Sequence, residues 1–194
     1  MEILISGMTC SGKTTLSNKI LERFNDVSIL RQDDYFKNRK DIPRDKNDFF
    51  LYDNPYAFDI SLFVTDVYRL LHDGYVYSPI YDVRSNTKTN ERRKINRSEI
   101  NVIEGLHSIG LLGKSLDALK IYLDINEEEC LKRRVIRDMS KYNMNEDEIR
   151  SYFYEIMIPQ YKKYIEYQKD EANIIVSNSN LYEVIKLIRR KIWH

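Results

Sequence analysis

Along the chain, short unbroken apolar runs alternate with longer stretches in which apolar residues return every three or four positions. EILIS (2–6), VSIL (27–30), INVIE (100–104), LKIYLDI (119–125) and NIIVS (173–177) have strand length and are bounded by polar or glycine positions, so they predict buried strands. Between them, Leu16, Ile20 and Phe24 recur every four residues in 13–24, and Leu62, Phe63, Val67, Leu70 and Leu71 form one stripe in 59–72. The stretches 126–141, 145–168 and 180–193 are periodic as well. Pro159, which lacks an amide proton, predicts a kink or break in the second of them. Strand and helix in alternation predict an α/β layered fold around a mostly parallel sheet.

Two stretches interrupt the alternation. Residues 38–58 (NRKDIPRDKNDFFLYDNPYAF) carry no periodicity, and loops of about twenty residues are functional or disordered. Residues 75–97 open as a strand, YVYSPIYD, then carry Arg84, Lys88, Arg92, Arg93, Lys94 and Arg97 against Glu91 alone. This predicts a hairpin-like excursion beside the sheet. Its charges read as a solvated basic loop or, alternatively, as a nucleic-acid surface whose affinity would fall with salt.

Composition narrows the picture. A chain of 194 residues has room for one sizeable core, so a single domain over 1–194 is expected. Lys and Arg number 31 against 30 Asp and Glu, which leaves no global field drawing the protein to nucleic acid or membrane, and neither is expected as a partner. No stretch reaches transmembrane length, and MEILISG lacks the features of a signal peptide. Two cysteines and three scattered histidines make neither a disulfide framework nor a zinc site. A cytoplasmic protein is the expectation, with a homo-oligomer compatible with the sequence.

The first strand leads into GMTCSGKT (Gly7, Met8, Thr9, Cys10, Ser11, Gly12, Lys13, Thr14), a full match to G-x-x-x-x-G-K-[ST], with Thr15 following. Glycines permit a tight wrap, and successive backbone N–H groups then point inward at an anion. The helix that begins near Lys13 adds its positive end. Lys13 is placed to reach the β- and γ-phosphates of ATP, and the Thr14 hydroxyl to ligate Mg²⁺. Cys10 fills an unconstrained position and is given no chemistry. A GTP switch would need Asn-Lys-x-Asp after a later strand, but the only Asn-Lys is Asn18-Lys19, inside the first helix. A small-molecule kinase fits the chain length best.

Strand C-terminal ends line the ligand crevice of an open parallel sheet. Asp33 and Asp34, Glu104 and Asp124 fall at such ends. Phosphoryl transfer needs one carboxylate near Mg²⁺ and another to orient the attacking hydroxyl and take its proton. Glu104 suits the first task, and Asp124 suits a turn and the start of the next helix. Read as an extended segment, Asp33 and Asp34 point to opposite faces, so one of the two is the base; the residues alone leave open which. In KRRVIRDMSK (132–141), Arg134 and Arg137 share a helix face, with Arg133 a neighbour of Arg137. That face can close over phosphates or be a solvated surface.

Together, GMTCSGKTT, QDDYFK, YDNPYAFD, SPIYD, VIEG and CLKRRVIRD, in order over roughly residues 1–176, resemble the uridine kinase family, with the related nicotinamide riboside kinases. The resemblance implies a three-layer P-loop nucleoside kinase fold with a parallel sheet, substrate-side excursions at 38–58 and 75–97, and a lid at about 126–145. It implies Mg²⁺-dependent transfer from ATP to a ribose 5′-hydroxyl. Under it Asp33 is the base and Asp34 supports the loop. Asp53 accepts hydrogen bonds from the ribose 2′- and 3′-hydroxyls, with Tyr52 beside it, and Glu104 is the acid linked to magnesium. Arg134 and Arg137 meet the phosphates, and Tyr81 lies at the base. Asn86 stands where uridine kinases carry a histidine, and Tyr142 and Met144 stand where further basic lid residues are expected. The expected substrate is a pyrimidine ribonucleoside, uridine or cytidine. Nicotinamide riboside is the alternative within the class, and a non-catalytic nucleotide-binding regulator the alternative outside it. Adenine contacts are expected from the loop near 177–180.

Overall fold

The structure is a computed structural model and describes residues 1–177 and 181–192. Five strands form one parallel sheet in the order β2-β5-β1-β6-β7: β1 (Glu2–Gly7), β2 (Val27–Arg31), β5 (Ile100–Glu104), β6 (Leu119–Asp124) and β7 (Ile174–Ser177). Each coincides with a predicted apolar run to within one residue. The strands read as near-continuous apolar runs because both faces are covered. Ile3, Ile5, Val102, Ile121 and Leu123 pack with Leu16 and Ile20 of α1 (Lys13–Arg23) and with Val184, Ile185 and Ile188 of α7 (Leu181–Ile192). Leu4, Leu30, Ile103 and Tyr122 face the other way, onto Phe63, Val67 and Leu70 of α2 (Ile60–Asp73). Cys130, Leu131 and Val135 of α4 (Glu127–Tyr142) join that second layer. The result is three layers, and each fully buried Leu or Ile contributes about 1.5–3 kcal/mol of transfer free energy.

The basic excursion is an antiparallel hairpin, β3 (Tyr75–Asp82) with β4 (Thr87–Asn96), that forms its own sheet. Four of its six cations are engaged within the fold: Arg93 pairs with Asp34, Lys88 with Asp59, the cap of α2, and Arg97 with Glu2, while the Lys94 ammonium lies over the Tyr75 ring. The aperiodic 38–58 stretch is an organised loop. It contains 3₁₀ turns at Arg39–Asp41 and Pro55–Ala57 and isolated bridges Phe36–Phe58 and Arg44–Phe50. Two hydrogen bonds fasten it to the hairpin, from Arg39 N–H to the Asn86 carbonyl (3.0 Å) and from Lys88 N–H to Asn38 Oδ1 (2.9 Å).

Three expectations are corrected. Residues 32–35 are a 3₁₀ turn (Gln32–Tyr35), not an extended continuation of β2, so the two aspartates diverge by helical rotation rather than by strand alternation. The predicted 145–168 helix is α5 (Glu146–Tyr152), a π-helical turn (Phe153–Met157), α6 (Ile158–Tyr164) and a 3₁₀ turn (Glu166–Glu171). Pro159 sits in the first turn of α6, and its missing N–H and its ring disturb the turn before it. Asp124 does not serve the start of α4: Asn126 is the cap there, accepting from Glu129 N–H, and Asp124 is engaged by Lys169. A short helix, α3 (Ser108–Leu112), had no periodic signal. Of the loop near 177–180 from which adenine contacts are expected, Ser177 ends β7 and residues 178–180 lie outside the described residues.

Candidate active site

The C-terminal strand ends meet along one edge of the sheet, where Gly7 is in register with Leu123 and Arg31 with Glu104. The chain leaves β1 through Gly7 at φ 146°, Cys10 at φ 59° and Gly12 at φ 104°, then enters α1 at Lys13. A Cβ on Gly7 would stand 2.6 Å from the Leu123 carbonyl, so β6 closes against the loop only because the residue is glycine. Beneath it, Ser6 Oγ donates to Gln168 Oε1 (3.0 Å), which also accepts Gly110 N–H (2.9 Å), and Gln168 Nε2 donates to the Leu106 carbonyl (2.8 Å). Lys13 Nζ curls over the loop and donates to the carbonyls of Gly7 (3.0 Å) and Met8 (2.8 Å). Met8 itself packs into the core, and Ser11 Oγ is buried without a partner among the described residues.

Around Lys13 gather the acids. Thr14 Oγ1 donates to Glu104 Oε2 at 3.2 Å, and Glu104 Oε1 takes the Arg31 Nε–H at 3.0 Å. Burial raises the Glu104 pKa, Asp33 raises it further, and Lys13 and Arg31 oppose. Asp33 is exposed to solvent on the 3₁₀ turn, with protein packed around its base. Desolvation there raises its carboxyl, against the pull of Lys13, Arg137 and Arg31. Asp53 is buried, its Oδ2 has no partner among the described residues, and desolvation pushes its pKa up to about 6 despite Arg134 and Lys13. Asp34 turns to the hairpin and pairs with Arg93.

Helix α4 supplies the cationic face. The buried Asp138 carboxylate holds Arg134 Nε (3.1 Å) with one oxygen and Arg137 Nε (2.7 Å) with the other. Arg134 also reaches Thr9 Oγ1 (3.4 Å), and Arg133 donates to the Ser11 carbonyl (3.3 Å). Arg134 is thereby held half-buried beside the loop, whereas Arg137 keeps an exposed side chain.

Beyond Asp53 lies an aromatic cluster. Phe36 stacks on Phe58 (4.1 Å between centroids) and meets Tyr81 (5.4 Å) and Tyr52 (6.0 Å). Tyr81 Oη is buried with no partner among the described residues, and burial pushes its pKa up to about 12. The Arg39 and Arg44 guanidiniums lie over the Phe50 ring, at 4.6 and 4.1 Å from its centroid. Asn86 sits at the hairpin tip in the left-handed region, φ 53°.

Thr14 and Glu104 present hard oxygen donors side by side. Among the described residues no three His, Cys, Asp or Glu side chains form an all-protein cage. Mg²⁺ is ordinarily held by one or two carboxylates together with substrate phosphates and water, so this pair fits that ion. Sequence reasoning had not singled out Arg31, Gln32, His107 or Asp138. Arg31 and Gln32 immediately precede the acidic pair at a strand end, and Asp138 follows Arg134 and Arg137 by four and one residues on α4, which were the available signals; His107 acts only through tertiary contact.

Among the described residues no helix is long and apolar enough to cross a membrane. The uridine kinase of Mycoplasma genitalium is 34% identical over 190 residues, covering 94% of this chain and 87% of that protein. The uridine kinase of Chlamydia pneumoniae is 31% identical, covering 95% and 85%. The solved phosphoribulokinase from Rhodobacter spheroides shares the fold with a TM-score of 0.63 at 18% identity, over 91% of this chain and 70% of that one. Residues 3–184 match the phosphoribulokinase/uridine kinase family, and the chain belongs to it.

Proposed function

We propose that the protein transfers the γ-phosphoryl group of ATP to the 5′-hydroxyl of a pyrimidine ribonucleoside, uridine or cytidine. The observation that carries this reading is that the Asp33 and Asp53 carboxylates lie within electrostatic reach of one another and of the Lys13 ammonium. A protein that only sensed ATP would need no acids beside its phosphate cradle. Asp33, as general base, accepts the proton of the attacking hydroxyl, and its raised pKa brings it nearer the pH at which it must work. Asp53, buried with one oxygen unpartnered, accepts from the ribose diol. Lys13, Arg134 and Arg137 neutralise charge that builds on the phosphoryl oxygens. Thr14 and Glu104 would hold Mg²⁺, which would offset the charge of the ATP phosphates when bound.

The base would lie against the aromatic cluster with its carbonyl groups toward Tyr81 Oη and Arg39. That arrangement favours a neutral, acceptor-bearing pyrimidine over the positively charged ring of nicotinamide riboside. The test is ADP release with uridine, cytidine, nicotinamide riboside, purine nucleosides and 2′-deoxyuridine. Turnover with uridine or cytidine, weaker with the deoxy compound, is the expected result. Absence of ADP with every nucleoside, alongside intact ATP binding, would favour a non-catalytic regulator instead.

A further inference from the structure

His107 belongs to none of the motifs above, yet it contacts three of the segments that form the site. It stands three residues beyond Glu104, where the chain leaves β5. Its main-chain N–H donates to the Gln32 side-chain oxygen at 2.9 Å, and Gln32 immediately precedes Asp33. Its ring Nε2 lies 3.0 Å from the main-chain carbonyl oxygen of Asp53. The ring also meets the main chain of Tyr164, and burial holds its pKa down to about 4, so it is neutral with a single N–H, which we assign to Nε2 because the Asp53 carbonyl can only accept. The ring meets Phe58 edge-on at 5.7 Å between centroids, and the residue is 3% exposed.

Gly105 fixes the geometry of this joint. A Cβ there would stand 2.2 Å from Gln32 Oε1, so only glycine lets the Gln32 amide lie close enough to receive the His107 N–H. The Gln32 amide is itself fully buried. The turn bearing Asp33 and the loop bearing Asp53 therefore hang on opposite sides of a single residue.

We infer that His107 is a positioning residue that sets the separation between Asp33 and Asp53, holding the diol-binding peptide at the distance a ribose requires. This rests on the nucleoside kinase reading. The ring touches no group that would react, so its effect passes through the main chain it holds, at the Asp53 carbonyl and, by its second contact, at Tyr164. Loss of Nε2–H frees the 53–54 peptide while leaving the phosphate loop, Lys13 and Thr14 as they are. The damage should fall on nucleoside use and spare ATP.

The experiment compares His107→Leu, which keeps bulk but lacks a donor, with His107→Gln, whose Nε2 amide can donate from a similar position. Loss of one buried hydrogen bond corresponds to about a tenfold effect. The uridine KM of His107→Leu should rise by about that factor with the ATP KM within about twofold, and its preference for uridine over 2′-deoxyuridine should shrink. His107→Gln should recover most of both. In an Asp53→Ala background, His107→Leu should add nothing to the uridine KM, because two residues acting through one contact are not additive. Equal changes in both KM values, no rescue by glutamine, or full additivity with Asp53→Ala would each overturn the inference. If His107→Leu does not fold, His107→Asn, whose amide falls short of the carbonyl, takes its place against His107→Gln with the same outcomes. Wild-type protein inactive on every nucleoside would count against the parent reading, whereas an active wild type with unselective variants would count against His107 alone.

Discussion

Asp34 is held by Arg93 across the gap between the 3₁₀ turn and the basic hairpin, while its neighbour Asp33 faces Lys13 and Arg137. The two adjacent acids are thus separated by their partners. One is spent on fastening the hairpin to the turn; the other is left with cations that a phosphate would also engage.

This division predicts unequal consequences. Asp33→Asn should lower kcat by about 10²–10⁴ while ATP affinity stays near wild type, because only proton acceptance is removed. Asp34→Asn cuts a partly exposed ion pair worth about 1 kcal/mol or less, so the loss of stability should be slight and turnover should persist. Steady-state rates with uridine, alongside ATP-analogue binding by calorimetry, separate the two. Equal impairment by both variants would contradict the assignment of the base to Asp33.

Asp53 carries a pH dependence whose sign can be worked out. Its folded pKa of about 6 lies above the ordinary aspartate value, so between those values the folded protein binds more protons than the unfolded chain. Stability associated with this group is therefore complete below about pH 4 and is lost as pH rises through 6, by about 3 kcal/mol at most. Asp53→Asn should be more stable than wild type at pH 7.5 and should lose that advantage at pH 4.5, as read by thermal unfolding. Nucleoside binding needs the ionised acceptor, so the uridine KM should fall as pH rises from 5 to 7 in wild type and stay flat in the variant.

Much of this architecture is legible in the sequence because it is local. The five apolar runs are strands since burial on both faces demands unbroken apolar residues, and the phosphate loop is read directly from glycine spacing. The turn at Gln32–Tyr35 was hidden because nothing in QDDY breaks an extended reading; the hydrogen bond from His107 to Gln32 and the Arg93 pair hold it, and both partners come from more than fifty residues away. Arg31 was hidden for the same reason, since its bond to Glu104 depends on β2 and β5 being neighbours in the sheet. The π-helical turn before Pro159 shows a third limit. A proline announces that a helix is disturbed and leaves the form of the disturbance to the packing of Phe153, Ile156 and Met157.

Gly7 tests the phosphate cradle apart from the acids. A methyl group there meets the Leu123 carbonyl at 2.6 Å and Ser11 Oγ at 2.9 Å, and φ 146° is strained for any L side chain. Gly7→Ala must shift β1 from β6 or reshape the loop, at about 1–3 kcal/mol. A folded but less stable protein with ATP affinity reduced by about tenfold or more is the expected outcome, measured by calorimetry and thermal unfolding. Wild-type nucleotide binding in this variant would mean that the loop does not cradle the phosphates.

Arg39 provides the test of base preference. Its guanidinium lies over Phe50 and acts electrostatically on the hydroxyls of Tyr52 and Tyr81, so a fixed positive charge stands beside the aromatic cluster. A nicotinamide ring is itself cationic and is repelled there, whereas a uracil carbonyl is attracted. Because Arg39 is exposed, solvent screening leaves only a modest effect, about fivefold in the ratio of kcat/KM for uridine over nicotinamide riboside. Arg39→Gln should shrink that ratio by about this factor, and Arg39→Lys, which keeps the charge but not the planar stacking, should retain most of it. Raising the salt concentration should narrow the wild-type ratio in the same direction and leave Arg39→Gln unmoved. A ratio indifferent to both the glutamine substitution and salt would show that base choice is made by shape around Tyr81 and Asn86 and not by charge.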